Sequence, residues 1–203
     1  MAAWNFWSDD GPSDYRKAGE LVRTVLARDN LSPQVKRLAH WLFAMVLMTE
    51  RDFDRALNEA DTAITLAPYD GSMFENLAQL AIVAGKPDKG LEWVALARTR
   101  DPNGLKMQNY NKGMALRLFG KYEDSIAAFK QSWYPDGDPP LHVAIDLVRL
   151  GRIDEAKAQV KLFLEKTDPK FIQSKWREGY FYSDPSITDG EVADLAKAGL
   201  PEK

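Results

Sequence analysis

Cysteine is absent from the 203-residue chain, which excludes disulfides, thiolate metal sites and a cysteine nucleophile, and accords with a reducing compartment. Histidine is nearly absent. The two imidazoles, His40 and His142, stand far apart with no carboxylate at ligand spacing, so neither a zinc site nor any other cofactor is expected. Basic charge is not in excess: 27 Lys and Arg face 30 Asp and Glu, a net charge of -3. Phosphate neutralisation therefore has no sequence-wide field behind it, and no nucleic-acid partner is expected. Long hydrophobic runs are missing too. The longest, "WLFAMVLM" at 41–48, is far short of the ~20 residues a membrane span needs, and the first thirty residues lack a basic segment followed by an apolar core. The expectation is a cytoplasmic protein with no membrane partner.

What the chain does contain is an internal repeat. "LAPYDGSMF" (66–74) and "TRDPNGLKM" (99–107) both close an apolar run with proline and open another after glycine. Aligning the turns within the repeated unit gives Arg51, Gly85, Gly120 and Gly151, at intervals of 34, 35 and 31. Five positions after each anchor stands a small residue: Ala56, Gly90, Ser125 and Ala156. Only a small side chain lets two helices approach closely at a crossing. Phe53, Pro87, Tyr122 and Ile153 follow each anchor by two, Ala60, Val94, Phe129 and Val160 by nine, and Ala63, Ala97, Ser132 and Phe163 by twelve. These offsets share one face of an α-helix.

Before each anchor lies a first helix, at 38–50, 72–84, 107–119 and a shorter 140–150, with Phe43/Ala44, Leu77/Ala78, Lys112/Gly113 and Val143/Ala144 in equivalent places. Pro68 and Pro102 fall where a second helix must stop, because proline lacks an amide hydrogen and clashes inside a helix. The repeated phrase is thus the boundary between stacked helix pairs, and the fold class expected is all-α.

The period, the small residues and the proline resemble the tetratricopeptide repeat, although most of that motif's first-helix Trp, Leu and Tyr positions hold other residues. The resemblance implies a right-handed superhelix of antiparallel helix pairs, an α-solenoid closed by partial repeats or capping helices. The expected division is a leading partial repeat over 1–33, repeats at 37–70, 71–105, 106–136 and 137–169, and a capping segment over 170–203. At the leading end, Ser13 is expected to cap a helix whose packed positions are Tyr15, Ala18, Val22 and Val25, with Trp4, Phe6 and Trp7 covering the open end. "SWYPDGDPP" (132–140) interrupts the third repeat. At the trailing end, 170–182 reads as one more first helix, Thr188 and Glu191 as a capping box, and Gly199, Leu200 and Pro201 as a stop.

The tail also resembles a particular family. An aromatic cluster, then "SDP", then "LAKAGLPE", together with "ERDFDRALNEADTAITLAP" and "AGKPDKGLEWVALARTRDP", is similar to the tetratricopeptide regions at the C-terminus of bacterial class III adenylate/guanylate cyclases. This implies a regulatory module without the cyclase catalytic domain, for which the chain has no strand-rich segment.

No motif points to catalysis. Gly85-Lys86 and Gly120-Lys121 lack the earlier glycine of a phosphate loop and lie in inter-helix turns. Asp136 and Asp138 lack the later ligands of a calcium loop. Ser125 and Ser132 stand where packing needs small residues and have no paired base. The chain is therefore expected not to be an enzyme.

Function is expected instead on the concave surface lined by first helices. By register the outward positions are Trp41, Met45 and Met48; Glu75, Asn76 and Gln79; Tyr110, Asn111, Met114 and Arg117; and His142, Ile145 and Arg149. Methionine and aromatic groups adapt to apolar side chains, amides pair with extended backbone, and arginines take carboxylates. The expected partner is a protein or peptide segment, apolar near the first repeat and acidic near the third and fourth. Self-association into a homo-oligomer through the end helices is the first alternative, and an enzyme built on a helical scaffold the second.

Overall fold

The structure, a computed structural model, describes residues 11–132 and 137–203. Among these there is no strand, and eleven helices follow one another: α1 Gly11–Leu26, α2 Pro33–Thr49, α3 Phe53–Leu66, α4 Gly71–Val83, α5 Pro87–Arg100, α6 Leu105–Leu118, α7 Tyr122–Gln131, α8 Pro139–Arg149, α9 Ile153–Lys166, α10 Gln173–Gly179 and α11 Pro185–Lys197. They form two compact units, Met1–Asp101 and Pro102–Lys203.

In the first unit, α2 pairs with α3 and α4 with α5, while α1 packs on α2 and the first helices α2 and α4 touch. In the second, α6 pairs with α7 and α8 with α9, α7 packs on α8, and α11 lies against α8 and α10. The turn within each of the four pairs reverses through one residue with left-handed backbone: Arg51 (φ 62°), Gly85 (76°), Gly120 (71°) and Gly151 (76°). Glycine adopts this conformation without a Cβ clash, whereas arginine carries a steric penalty of about 1–2 kcal/mol. The second helices begin two positions later, at Phe53, Pro87, Tyr122 and Ile153.

The small residues behave as crossings require. Ala56, Ser125 and Ala156 are fully buried. A Cβ added at Gly90 would lie 2.4 Å from Ile82 Cγ1, and one at Gly113 would lie 2.8–2.9 Å from three atoms of the Phe129 ring. Helices α3 and α5 end two residues before Pro68 and Pro102. Caps fix the starts in the first unit: Ser32, Asp52 and Asp70 accept hydrogen bonds from Val35, Arg55 and Met73 N–H groups.

Three terminal expectations need correction. Ser13 lies inside α1 and does not cap it. The segment 170–182 yields only the seven-residue α10, because Tyr180 to Tyr182 run extended into the next turn. Thr188 and Glu191 are interior to α11, which starts at Pro185 behind the capping Asp184 carboxylate. The stop signal does act: Gly199 takes φ 88°, and the buried Leu200 donates its N–H to Leu195 O at 2.9 Å. Trp4, Phe6, Trp7 and Asp136 lie outside the described residues.

Candidate functional site

In the first unit the outward register positions of α2 and α4 leave a small opening. Trp41, Glu75 and Asn76 are half-buried, while Met45, Met48 and Gln79 are buried beneath them. A cleft of about 210 Å³ lies between the helices, lined by Arg37, Leu38, Trp41, Asp70, Met73 and Asn76 among others. Arg37 pairs with Asp70 at its mouth. Burial works against the Asp70 carboxylate, but hydrogen bonds from Ser72 Oγ and Met73 N–H, and the Arg37 charge, hold it below its ordinary value. Trp41 Nε1 is buried and has no hydrogen-bond partner among the described residues. Next to it Leu38 stays 45% exposed, and Val35 and Leu42 continue the apolar strip along α2. An indole donor beside aliphatic surface suits a segment that brings both an acceptor oxygen and an apolar side chain.

A larger cleft of about 690 Å³ is lined by the end of α1 and by α2 and α3. Several of its charges are already engaged: Glu50 holds Arg23 through two hydrogen bonds of 2.9 and 3.0 Å, Asp52 holds Arg55, and Glu59 holds His40.

The second unit treats the same register differently. Tyr110 occupies the position of Trp41, ten before the turn anchor, yet it is buried, as are Asn111, Met114, Arg117, His142 and Ile145. Only Arg149 keeps partial exposure. All five N–H groups of the Arg117 guanidinium are used within the chain. Nε donates to Asp146 Oδ1 at 2.7 Å, Nη1 to His142 Nδ1 at 2.9 Å and Glu191 Oε1 at 3.0 Å, and Nη2 to His142 O at 2.7 Å and Asp146 Oδ2 at 3.4 Å. Arg117 is therefore interior, and its guanidinium is committed to Asp146 and Glu191 within the chain. Burial opposes its charge, but Asp146 and Glu191 hold its pKa above the ordinary value.

Each carboxylate has further donors. Ser125 Oγ reaches Asp146 Oδ2 at 2.6 Å, and Tyr182 Oη and Trp176 Nε1 both reach Glu191 at 3.1 Å. Where water is excluded, carboxylate oxygens depend on such donors within the protein. At the rim, Arg149 Nε donates to Asp194 Oδ2 at 2.9 Å.

His142 closes the network. Arg117 has donors only, so Nδ1 must accept, which places the proton of the neutral ring on Nε2. Nε2–H then donates to Tyr110 Oη at 2.7 Å, and the Tyr110 hydroxyl donates to Asp138 at 3.3 Å. The ring stacks on Phe129 at 4.6 Å and meets the edges of Trp176 and Tyr180. Burial first, and the Arg117 charge second, push its pKa well below the ordinary 6.5. Burial and Glu191 push the Tyr182 hydroxyl well above 10, and burial does the same to Tyr110.

His142 thereby ties stability to pH. The unfolded imidazole takes up a proton near pH 6.5, the folded one only at lower pH, so stability is complete above 6.5 and declines as pH falls below it. The slope approaches about 1.4 kcal/mol per pH unit at most. Urea unfolding between pH 7.5 and 5 should show this decline, and His142→Asn should flatten it. An equal slope in both chains would rule His142 out as its source.

Trp176, Tyr182, Glu191 and Asp146 were not among the sequence-derived site residues. Asp146 alone left a local signal, as an acid inside the apolar run "HVAIDLV".

These faces belong to a scaffold of antiparallel helix pairs. Residues 42–104 match the family model described as tetratricopeptide repeat. The fold is that of solved tetratricopeptide-repeat structures. PilW, a widely conserved type IV pilus biogenesis factor, superposes with a TM-score of 0.70 at 18% identity, over 92% of this chain and 82% of that one. TTC0263, a thermophilic TPR protein of Thermus thermophilus, gives 0.65 at 20% identity over 91% and 92%. MamA gives 0.52 at 18% identity over 76% and 91%. No curated protein matches. Nothing in these comparisons links the chain to a nucleotide cyclase, and none of the three is described as an enzyme. Among the described residues no helix is long and apolar enough to cross a membrane, and no cluster of acids and histidines is arranged to hold a metal.

Proposed function

We propose that the chain is a non-catalytic protein-interaction module that takes a peptide or helix on the α2/α4 face of its first unit. Its carrying observation is the unpartnered Trp41 Nε1 in a cleft flanked by exposed Leu38. Of the outward register positions, Trp41, Glu75 and Asn76 make first contact in this reading. Met45, Met48 and Gln79 form the floor.

Peptides selected on the intact chain from a displayed random library supply the probe. Trp41→Ala is expected to weaken the selected peptides at least tenfold, about 1.4 kcal/mol. Peptides that bind wild type and Trp41→Ala alike would remove this face from consideration.

A regulatory role beside a nucleotide cyclase rests on the resemblance of the tail and repeat phrases alone. Self-association is the second reading. It draws on Leu21, 66% exposed on α1, and on the apolar strip of α2. A mass that rises with concentration in light scattering supports it, and a constant monomer mass counts against it.

A further inference from the structure

The first-helix face that is open in the first unit is covered in the second, and what covers it is α11. Helix α11 lies on α8, a first helix, and its side chains reach across to α6, the first helix of the preceding pair. Two of its carboxylates, three positions apart, meet two arginines of those helices: Glu191 with Arg117 at 3.0 Å and Asp194 with Arg149 at 2.9 Å. Val192 and Leu195, both buried, supply the apolar contact between them. The side chains that α11 engages, Arg117 and Arg149, occupy positions whose register points away from their own helix pair. Trp41 and Tyr110 sharpen the comparison, since they hold the same register position. The indole N–H of Trp41 is unpartnered, whereas the Tyr110 hydroxyl is committed to His142 and Asp138.

We propose that α11 is a ligand held in cis on the first-helix face of the second unit. The same face accepts in trans a helical protein segment with two carboxylates at i and i+3 around apolar residues. Charge complementarity identifies this occupant. The face presents two guanidinium groups, one deep and one at the rim; a segment lacking the first acid would leave Arg117 with Asp146 alone, and one lacking the second would take from Arg149 its Asp194-type partner. The Arg149–Asp194 pair is the point of entry, being the accessible one, with side chains 20% and 11% exposed. Joined through a short connection to α10, α11 competes at an effective concentration on the order of millimolar. The terminal helix is thus an autoinhibitory contact that a partner of matching pattern must displace. This inference rests on the reading that first-helix faces bind protein segments, but concerns a different face from the Trp41 cleft.

The test uses the full chain and a fluorescent peptide copying residues 184–200. Weakening the cis contact by Asp194→Asn, or more strongly by Glu191→Gln, is expected to raise affinity for this peptide at least tenfold over wild type. The same peptide carrying glutamine at the Glu191 position should lose that gain. If the variants bind no more tightly than wild type, or bind both peptides equally, the proposal is overturned. Should either variant not fold, hydrogen exchange on the wild-type chain decides. Millimolar peptide should speed exchange in Pro185–Lys197 while α8 stays protected, and unchanged α11 exchange would overturn the proposal. Trp41→Ala is expected to leave binding of this peptide intact, so failure here and failure at the first unit's cleft are told apart.

Discussion

Replacing Arg117 by methionine is expected to lower the free energy of unfolding by about 3–5 kcal/mol. The side chain has no exposed surface, and its five donors meet Asp146, Glu191, His142 Nδ1 and the His142 carbonyl. Methionine fills much of the volume but supplies no charge. Asp146 would keep only Ser125, and Glu191 only Tyr182 and Trp176, as donors to carboxylates shut away from water. Lysine does not rescue the site, because three donors on one ammonium do not reach five acceptors spread around a planar fork. Removing all the charge together should be far milder. Arg117→Met with Asp146→Leu and Glu191→Leu leaves no ion in the interior, and such replacements are often neutral or stabilising. Urea unfolding followed by circular dichroism reads both chains. A loss below about 1 kcal/mol for Arg117→Met would mean that water reaches the carboxylates, contrary to their complete burial.

Trp176→Ala is expected to cost a further large amount, about 3–5 kcal/mol. The indole is fully buried, stacks on Tyr180 at 3.9 Å and meets the His142 ring at 4.9 Å. Two contributions are combined here, and Trp176→Phe separates them. Phenylalanine keeps most of the ring contact but removes the N–H that reaches Glu191, so its expected cost is about 1–3 kcal/mol. If both substitutions cost the same, the hydrogen bond to Glu191 dominates and the packing matters little. The same unfolding experiment distinguishes these outcomes.

The hairpins were legible in the sequence because their determinants are local: one left-handed turn residue, a helix start two positions on and a small residue five positions on. Arg51, Gly85, Gly120 and Gly151, which the alignment marks as turns, all take positive φ. The site was legible only as far as direction. Register says that Arg117 and His142 point away from their own pair, and says nothing of what arrives to cover them. For Arg117 the answer lies 74 residues away, in Glu191. No periodicity links the two. Thr188 and Glu191 have the spacing of a capping box, but Asp184 and Pro185 start the helix earlier and free Glu191 for the interior. Trp41 holds the same register as Tyr110 but is half-buried, with no α11-like helix over it among the described residues.

Glu191 also governs where the chain can be cut. Ending the chain at residue 190 would leave Trp176 and Tyr182 in place but strip Arg117 of one of its two counterions. A cut there would keep Asp146 beside Arg117 but leave Trp176, Tyr182 and one guanidinium N–H without their carboxylate, so any shortened version of the chain must retain Glu191.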